Sequence, residues 1–151
     1  MINLKKTLSS SAPVGMLPLR LALFATFFFH GTQKLFGWFG GPGLEGASGF
    51  MESLGIPFPY VAALLVAVIE TAGGMSFLIG AGFRFFGLLL TANMLGAIVL
   101  VHLKNGWDFT HGGIEFNMAL IAMIWSVMIM GPGIHSLEWA DSEGAAPEAV
   151  S

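Results

Sequence analysis

Four long apolar runs, at about residues 17–35, 60–80, 85–103 and 115–130, alternate with short breaks rich in Gly, Pro or charge. Each run is close to the ~20 residues that carry a helix across a ~30 Å hydrocarbon core, and the last is the shortest. Short links join the second run to the third and the third to the fourth. The pattern therefore predicts an all-α fold, an integral membrane four-helix bundle in up-down-up-down order. Residues 1–16 are polar and Ser-rich, with Lys5 and Lys6, and read as a flexible cytoplasmic N-terminus. Residues 17–135 form the four-span membrane domain, and 136–151 an acidic tail with Glu138, Asp141, Glu143 and Glu148 that is expected to stay flexible. No small-residue cleavage site follows the first run, so it reads as an uncleaved span.

The longest break, residues 38–59, carries a pattern of its own. Leu44, Ala47, Met51 and Leu54 stand at helical spacing opposite Glu45, Ser48 and Glu52. That predicts a short amphipathic helix in the first outer loop, lying on the membrane surface like a lid. Gly40-Gly-Pro-Gly43 turns the chain into it, and Pro57 and Pro59 end it.

Composition agrees with a membrane chain. Hydrophobic residues make up 55% and charged residues 10%, with a mean hydropathy of +0.78; soluble domains carry about 25% charged residues. The net charge of -3 and six scattered Lys and Arg leave no nucleic-acid footprint. The absence of cysteine excludes disulfides, thiol chemistry and thiolate metal sites, and no metal site is expected. Lys5, Lys6, Arg20 and Arg84 fall on one side of the alternating spans, Lys34 and Lys104 on the other. This bias places both termini in the cytoplasm of a bacterial-type inner (plasma) membrane.

Against this apolar background the polar positions stand out. His30, Gln33 and Lys34 lie at i, i+3 and i+4 and share one helix face, which Thr26 and Gly37 extend. Glu70 lies midway along the second run and Asn93 midway along the third, at matching depths by a rise of about 1.5 Å per residue. His102, Lys104, Asn105, Glu115 and Asn117 fall in the same half on the alternating topology. Lys34 or Lys104 can pair with Glu70 or Glu115, which lowers the cost of carrying charge at that depth. Such a cluster suits a quinone headgroup: imidazole, amide and ammonium can donate to ring oxygens, while Glu70, His30 or His102 relays protons. The bland alternatives are a polar network that locks the helices in register and a Lys34 that reaches for the headgroups. A haem held by His30 and His102 is disfavoured, because the two lie about two helical turns apart in depth.

The ordered motifs His30-Gly-Thr-Gln-Lys-Leu-Phe-Gly37, Gly40-Gly-Pro-Gly-Leu44, Leu54-Gly-Ile-Pro57, Glu70-Thr-Ala-Gly-Gly74, Val101-His-Leu-Lys-Asn-Gly106, Gly112-Gly-Ile-Glu115 and Gly131-Pro-Gly133 resemble the DoxX family. The likeness also takes in Arg84 and Asn93-Met94, and runs from about Leu17 to Leu137. It implies a small four-span membrane protein akin to the DoxD-like subunits of quinone-linked sulfur oxidoreductases. The family's recurring polar positions fall on His30, Gln33, Lys34, Glu70, Arg84, Asn93, His102, Lys104, Asn105 and Glu115. The expected function is therefore a quinone-binding membrane subunit of a redox system, sulfur-linked or tied to oxidative stress. A redox partner protein is expected, and a homo-oligomer is compatible with the sequence. The rivals are a non-catalytic scaffold for a partner enzyme and a small-solute or proton pathway.

Overall fold

The computed structural model describes residues 4–133 and 135–138. Its regular structure is helical throughout these residues: α1 (Leu4–Phe36), α2 (Gly43–Ser53), α3 (Pro59–Ile79), α4 (Phe83–Ala97) and α5 (Glu115–Met130). Helix α4 continues through a π turn, Ile98–His102, and a 3₁₀ turn, Leu103–Asn105. The continuous run Phe83–Asn105 and helix α3 are each long and apolar enough to cross a membrane, and α5 is apolar but shorter. Less than a quarter of the most apolar window in Phe83–Asn105 is buried (22%). Leu88, Leu95 and Val99 point outward from it. An apolar helix that keeps most of its surface outside the core is what lipid contact requires.

Two expectations about the ends of the chain meet different fates. Helix α1 begins at Leu4 rather than near Leu17, so the Ser-rich start continues the helix of the first apolar run. Ser is a passable helix former once an apolar run downstream holds the helix. The acidic tail beyond Glu138 lies outside the described residues.

The core is built from α1, α3, α4 and α5, with Leu23, Phe27, Phe77, Leu90, Ile124 and Val127 at its centre. Small residues bring the backbones together. A Cβ at Gly31 would lie 2.5 Å from the backbone nitrogen of Thr71, and one at Gly74 would lie 2.7 Å from that of Phe28, so α1 and α3 touch along both glycines. Gly73 does the same service against Leu90 of α4, and Gly87 against Met128 of α5. Pro59 opens α3 where a missing N–H is harmless. Gly80 ends it at φ 68°, with its N–H bonded to Ser76 O (2.9 Å) and no room for a side chain beside Ser136.

Arg20 was weighed in the sequence only as a topology charge. It is buried to 1% exposure and donates from Nε to Phe77 O (2.8 Å) and from Nη2 to Leu78 O (2.7 Å). It also donates to Pro132 O (3.0 Å) and His135 O (3.2 Å). The guanidinium thus satisfies carbonyls at the end of α3 and fastens the segment after α5 to them. A charged residue inside an apolar run was the available signal, since such a group needs partners.

The predicted lid helix is present as α2. Ala47 is buried, Glu45 and Glu52 are exposed, and the helix rests on α3 and α1.

Candidate functional site

Close contact at Gly31 sets the geometry of the polar cluster. It lays α1 against Glu70 and Thr71 of α3, and one turn later Lys34 reaches the carboxylate. Lys34 Nζ donates to Glu70 Oε2 at 2.5 Å, and Asn93 Nδ2 of α4 donates to Glu70 Oε1 at 3.0 Å. One buried carboxylate therefore ties three helices, with both oxygens bonded. The ammonium does not simply reach for the headgroups: its side chain is 26% exposed and its partner's 6%. Lys104 is exposed, and Glu115 accepts instead from the backbone N–H of Phe109 (3.3 Å).

Above this triad lies a cavity of about 850 Å³. Its walls are mostly apolar, from Phe27, Phe50, Met51, Val66, Leu100 and Leu120. Its polar positions are Thr26, His30, Lys34, Glu70, Asn93, His102 and Asn117. Helix α2 supplies one side through Gly46, Ala47, Phe50 and Met51. Of the sequence candidates, His30, Lys34, Glu70, Asn93, His102 and Asn117 are brought together here. Gln33, Lys104, Asn105 and Glu115 are not among the lining residues. Gln33 packs beside Gly41 and bonds His30 Nδ1 through Oε1 (3.2 Å), so it steers the imidazole from outside. Asn105 Nδ2 donates to Gly112 O (3.1 Å) and shapes the loop.

His102 reaches the cavity by an irregular backbone. Nine residues separate it from Asn93, which at about 100° per residue would place the two on opposite faces of a regular helix. In the π turn Leu103 N–H bonds Ile98 O five residues back. The wider turn under-rotates the chain and brings His102 to the same cavity. Its Nδ1 lies 2.7 Å from Gly112 O. A carbonyl only accepts, so Nδ1 carries the proton and Nε2 of the neutral ring keeps its lone pair. Two backbone bonds hold Gly112 in place: Ile114 N–H to Gly106 O (3.0 Å) and Glu115 N–H to Trp107 O (3.1 Å). In the same loop Asp108 accepts from the Thr110 backbone N–H (2.8 Å) and from its hydroxyl, and pairs with His111. These bonds hold its carboxyl below the usual range.

Asn117, at 6% exposure, donates from Nδ2 to Met94 Sδ (3.5 Å). Its other polar atom is bonded to no described residue and is not sealed from the cavity. The side chains that line the apolar walls, such as Phe50 and Leu100, carried no signal in the sequence beyond hydrophobicity.

Fold and site together define an all-α protein whose outward-facing apolar helices surround a mostly apolar cavity with polar groups set into its wall. Residues 15–103 match the DoxX family, and the chain belongs to it. It is 32% identical to the "Putative oxidoreductase CatD" of Bacillus subtilis (strain 168), over 87% of this chain and 90% of that protein. It is 28% identical to the "Inner membrane protein YphA" of Escherichia coli (strain K12), over 85% and 91% of the two chains. Against the "Uncharacterized membrane protein Rv3486" of Mycobacterium tuberculosis the identity is 29%, over 88% and 85%. No solved structure matches the chain. Family membership places the protein in a lipid environment.

Proposed function

We propose that this chain is a four-span inner-membrane protein with cytoplasmic termini, whose cavity binds a quinone ring as the membrane subunit of a redox system. The observation that carries the reading is the set of polar groups in the wall of an otherwise apolar cavity. Lys34 and Glu70 cancel each other's charge, while Asn117 and His102 offer polar atoms to an uncharged ring. A bound quinone would exchange two electrons and two protons with its surroundings. His102 is set to take a proton at Nε2 while Gly112 O holds the one at Nδ1. Glu70, bridged to Lys34 and Asn93, and His30 are further ionisable groups in the cavity wall. The name of the Bacillus subtilis relative, "Putative oxidoreductase CatD", points the same way.

Helix lengths support the four spans. Helix α3 and the run Phe83–Asn105 are long and apolar enough to cross. The four-span reading adds the apolar part of α1, residues 17–36, which at about 1.5 Å per residue just spans ~30 Å, and α5, whose 16 residues call for local thinning of the bilayer. The buried Arg20 and the paired Lys34 no longer count as topology charges. Lys5, Lys6 and Arg84 against Lys104 still favour cytoplasmic termini.

One observation favours a scaffold instead: both Glu70 oxygens are already bonded within the protein. Quinone binding to the purified protein in lipid nanodiscs separates the two readings. His102→Ala and Asn117→Ala should each weaken binding roughly tenfold, about one lost polar contact. Lys104→Ala and Glu115→Gln, away from the cavity, should not. Equal affinities in all four variants would leave the scaffold.

A further inference from the structure

Helices α2 and α4 both line the cavity, α2 through Phe50 and Met51 and α4 through Ala92 and Gly96. Yet α2 is seated on α3 and α1 and makes no substantial packing with α4. Phe50 on one side and Leu100 on the other are each 49% exposed. The wall between them is a cleft rather than a packed seam.

Gly96 sits in this cleft, one turn beyond Asn93. A Cβ there would meet no atom within 4 Å. Gly96 is half-buried, whereas the fully buried helix glycines are used in packing: a side chain on Gly31, Gly73, Gly74 or Gly87 would strike a neighbouring helix. Unlike Gly49, which is equally open but lies outside the cavity, Gly96 lines it, so the missing side chain leaves space in the cavity wall. Ala92 and Gly96 also border Leu88, Leu95 and Val99, which are 53%, 50% and 67% exposed. The lipid-facing surface of α4 therefore runs into the cleft without a polar break.

Resting on the ring-binding reading above, we infer that the ligand is a ring with a long apolar tail that enters sideways from the bilayer. Its tail lies over Ala92 and Gly96 and leaves between α2 and α4. The polar groups in the wall support an uncharged head rather than an anionic lipid, because the Lys34 charge is matched by Glu70. The buried Asn117 amide, with one polar atom open to the cavity, gives the head a fixed contact. The absence of side chains at Gly96 leaves the tail its path.

The test uses the full-length protein in lipid nanodiscs at fixed lipid content. Two probes are titrated: a tail-less dimethoxy-methyl-benzoquinone and the same ring carrying a decyl tail. Gly96→Trp and Ala92→Trp should weaken the decyl probe roughly tenfold or more by filling its path, and leave the tail-less probe within about twofold. Gly49→Trp, on α2 with open space around it and outside the cavity lining, should change neither. Gly96→Leu repeats the test with a smaller side chain, and helical circular dichroism confirms that each variant is folded. Undiminished decyl binding in the filled variants, or equal loss of both probes, would overturn the tail path while leaving the ring site standing. A parent protein that binds neither probe would overturn the ring-binding reading and this inference with it.

Discussion

Replacing Glu70 by Gln removes a charge while keeping nearly the same shape. The bond from Asn93 survives, because an amide oxygen still accepts, so the loss falls on Lys34. A unit-charge pair ~4 Å apart attracts by about 4 kcal/mol at an effective dielectric of about 20. Desolvation offsets most of that gain, which is why such pairs add little net stability. Removing one partner is different: breaking a fully buried pair costs about 3–5 kcal/mol, because the other charge stays uncompensated. The Lys34 side chain is 26% exposed and the Glu70 side chain 6%, so water softens the penalty. The expected loss for Glu70→Gln is about 1–3 kcal/mol. A double-mutant cycle isolates the coupling. Lys34→Met alone leaves Glu70 with Asn93 as its bonded partner, whereas Glu70→Gln with Lys34→Met removes both charges. The double variant should be more stable than the sum of the two single losses predicts, by about 1–2 kcal/mol. Denaturant titration in mixed micelles, followed by helical circular dichroism, measures all four proteins. Losses that add to within about 0.5 kcal/mol would show the pair uncoupled and refute the reasoning. In the same preparations Glu70→Gln should remain folded but bind quinone more weakly, while Glu45→Gln on α2 matches the parent.

Arg20→Met should destabilise by about 3 kcal/mol or more, since carbonyls on both sides of the guanidinium lose their donor. Arg20→Lys should recover only part of that; a loss below about 1 kcal/mol in thermal unfolding would deny the clamp. Gly31→Ala must push α1 from α3, because its methyl meets the Thr71 backbone; with no flexible side chain to yield, about 1–3 kcal/mol is expected, together with a weakened Lys34–Glu70 coupling. Asp108 has a depressed folded pKa, so its loop contribution is fully present above the unfolded carboxylate range and is lost as pH falls through the folded value. The protection of the Thr110 amide, its exchange rate relative to the intrinsic rate at each pH, should therefore fall only in acid, and Asp108→Asn should remove that fall; an unchanged loss of protection in acid would assign it to another group.

Much of the site could be read from the chain because depth is a one-dimensional property. Glu70 and Asn93 were placed at one level by counting residues from the ends of their runs, and they bond. Choosing between Lys34 and Lys104 required knowing which helix faces which. That choice follows from the Gly31 contact, which brings α1 to α3 at the turn preceding Lys34. Gln33, Asn105 and Glu115 lie at suitable depths yet outside the cavity, because depth says nothing about rotation around the helix axis. Asn117 shares the level of Glu115, and two positions of helical rotation put it on the inner face.

By itself the sequence determined the helical runs, the amphipathic α2, the apolar exterior and the need of a carboxylate and an ammonium in apolar runs for partners. These follow from local periodicity and from the cost of charge without a partner, which any packing must respect. The tertiary structure alone decided where His102 points, what Arg20 holds and which wall of the cavity stays open. The π turn breaks the periodicity from which a face is predicted. The Arg20 acceptors are backbone carbonyls, which every residue type carries and no sequence pattern marks. The cleft between α2 and α4 exists because α2 settles on α3, a matter of how helices pack rather than of what any one of them contains.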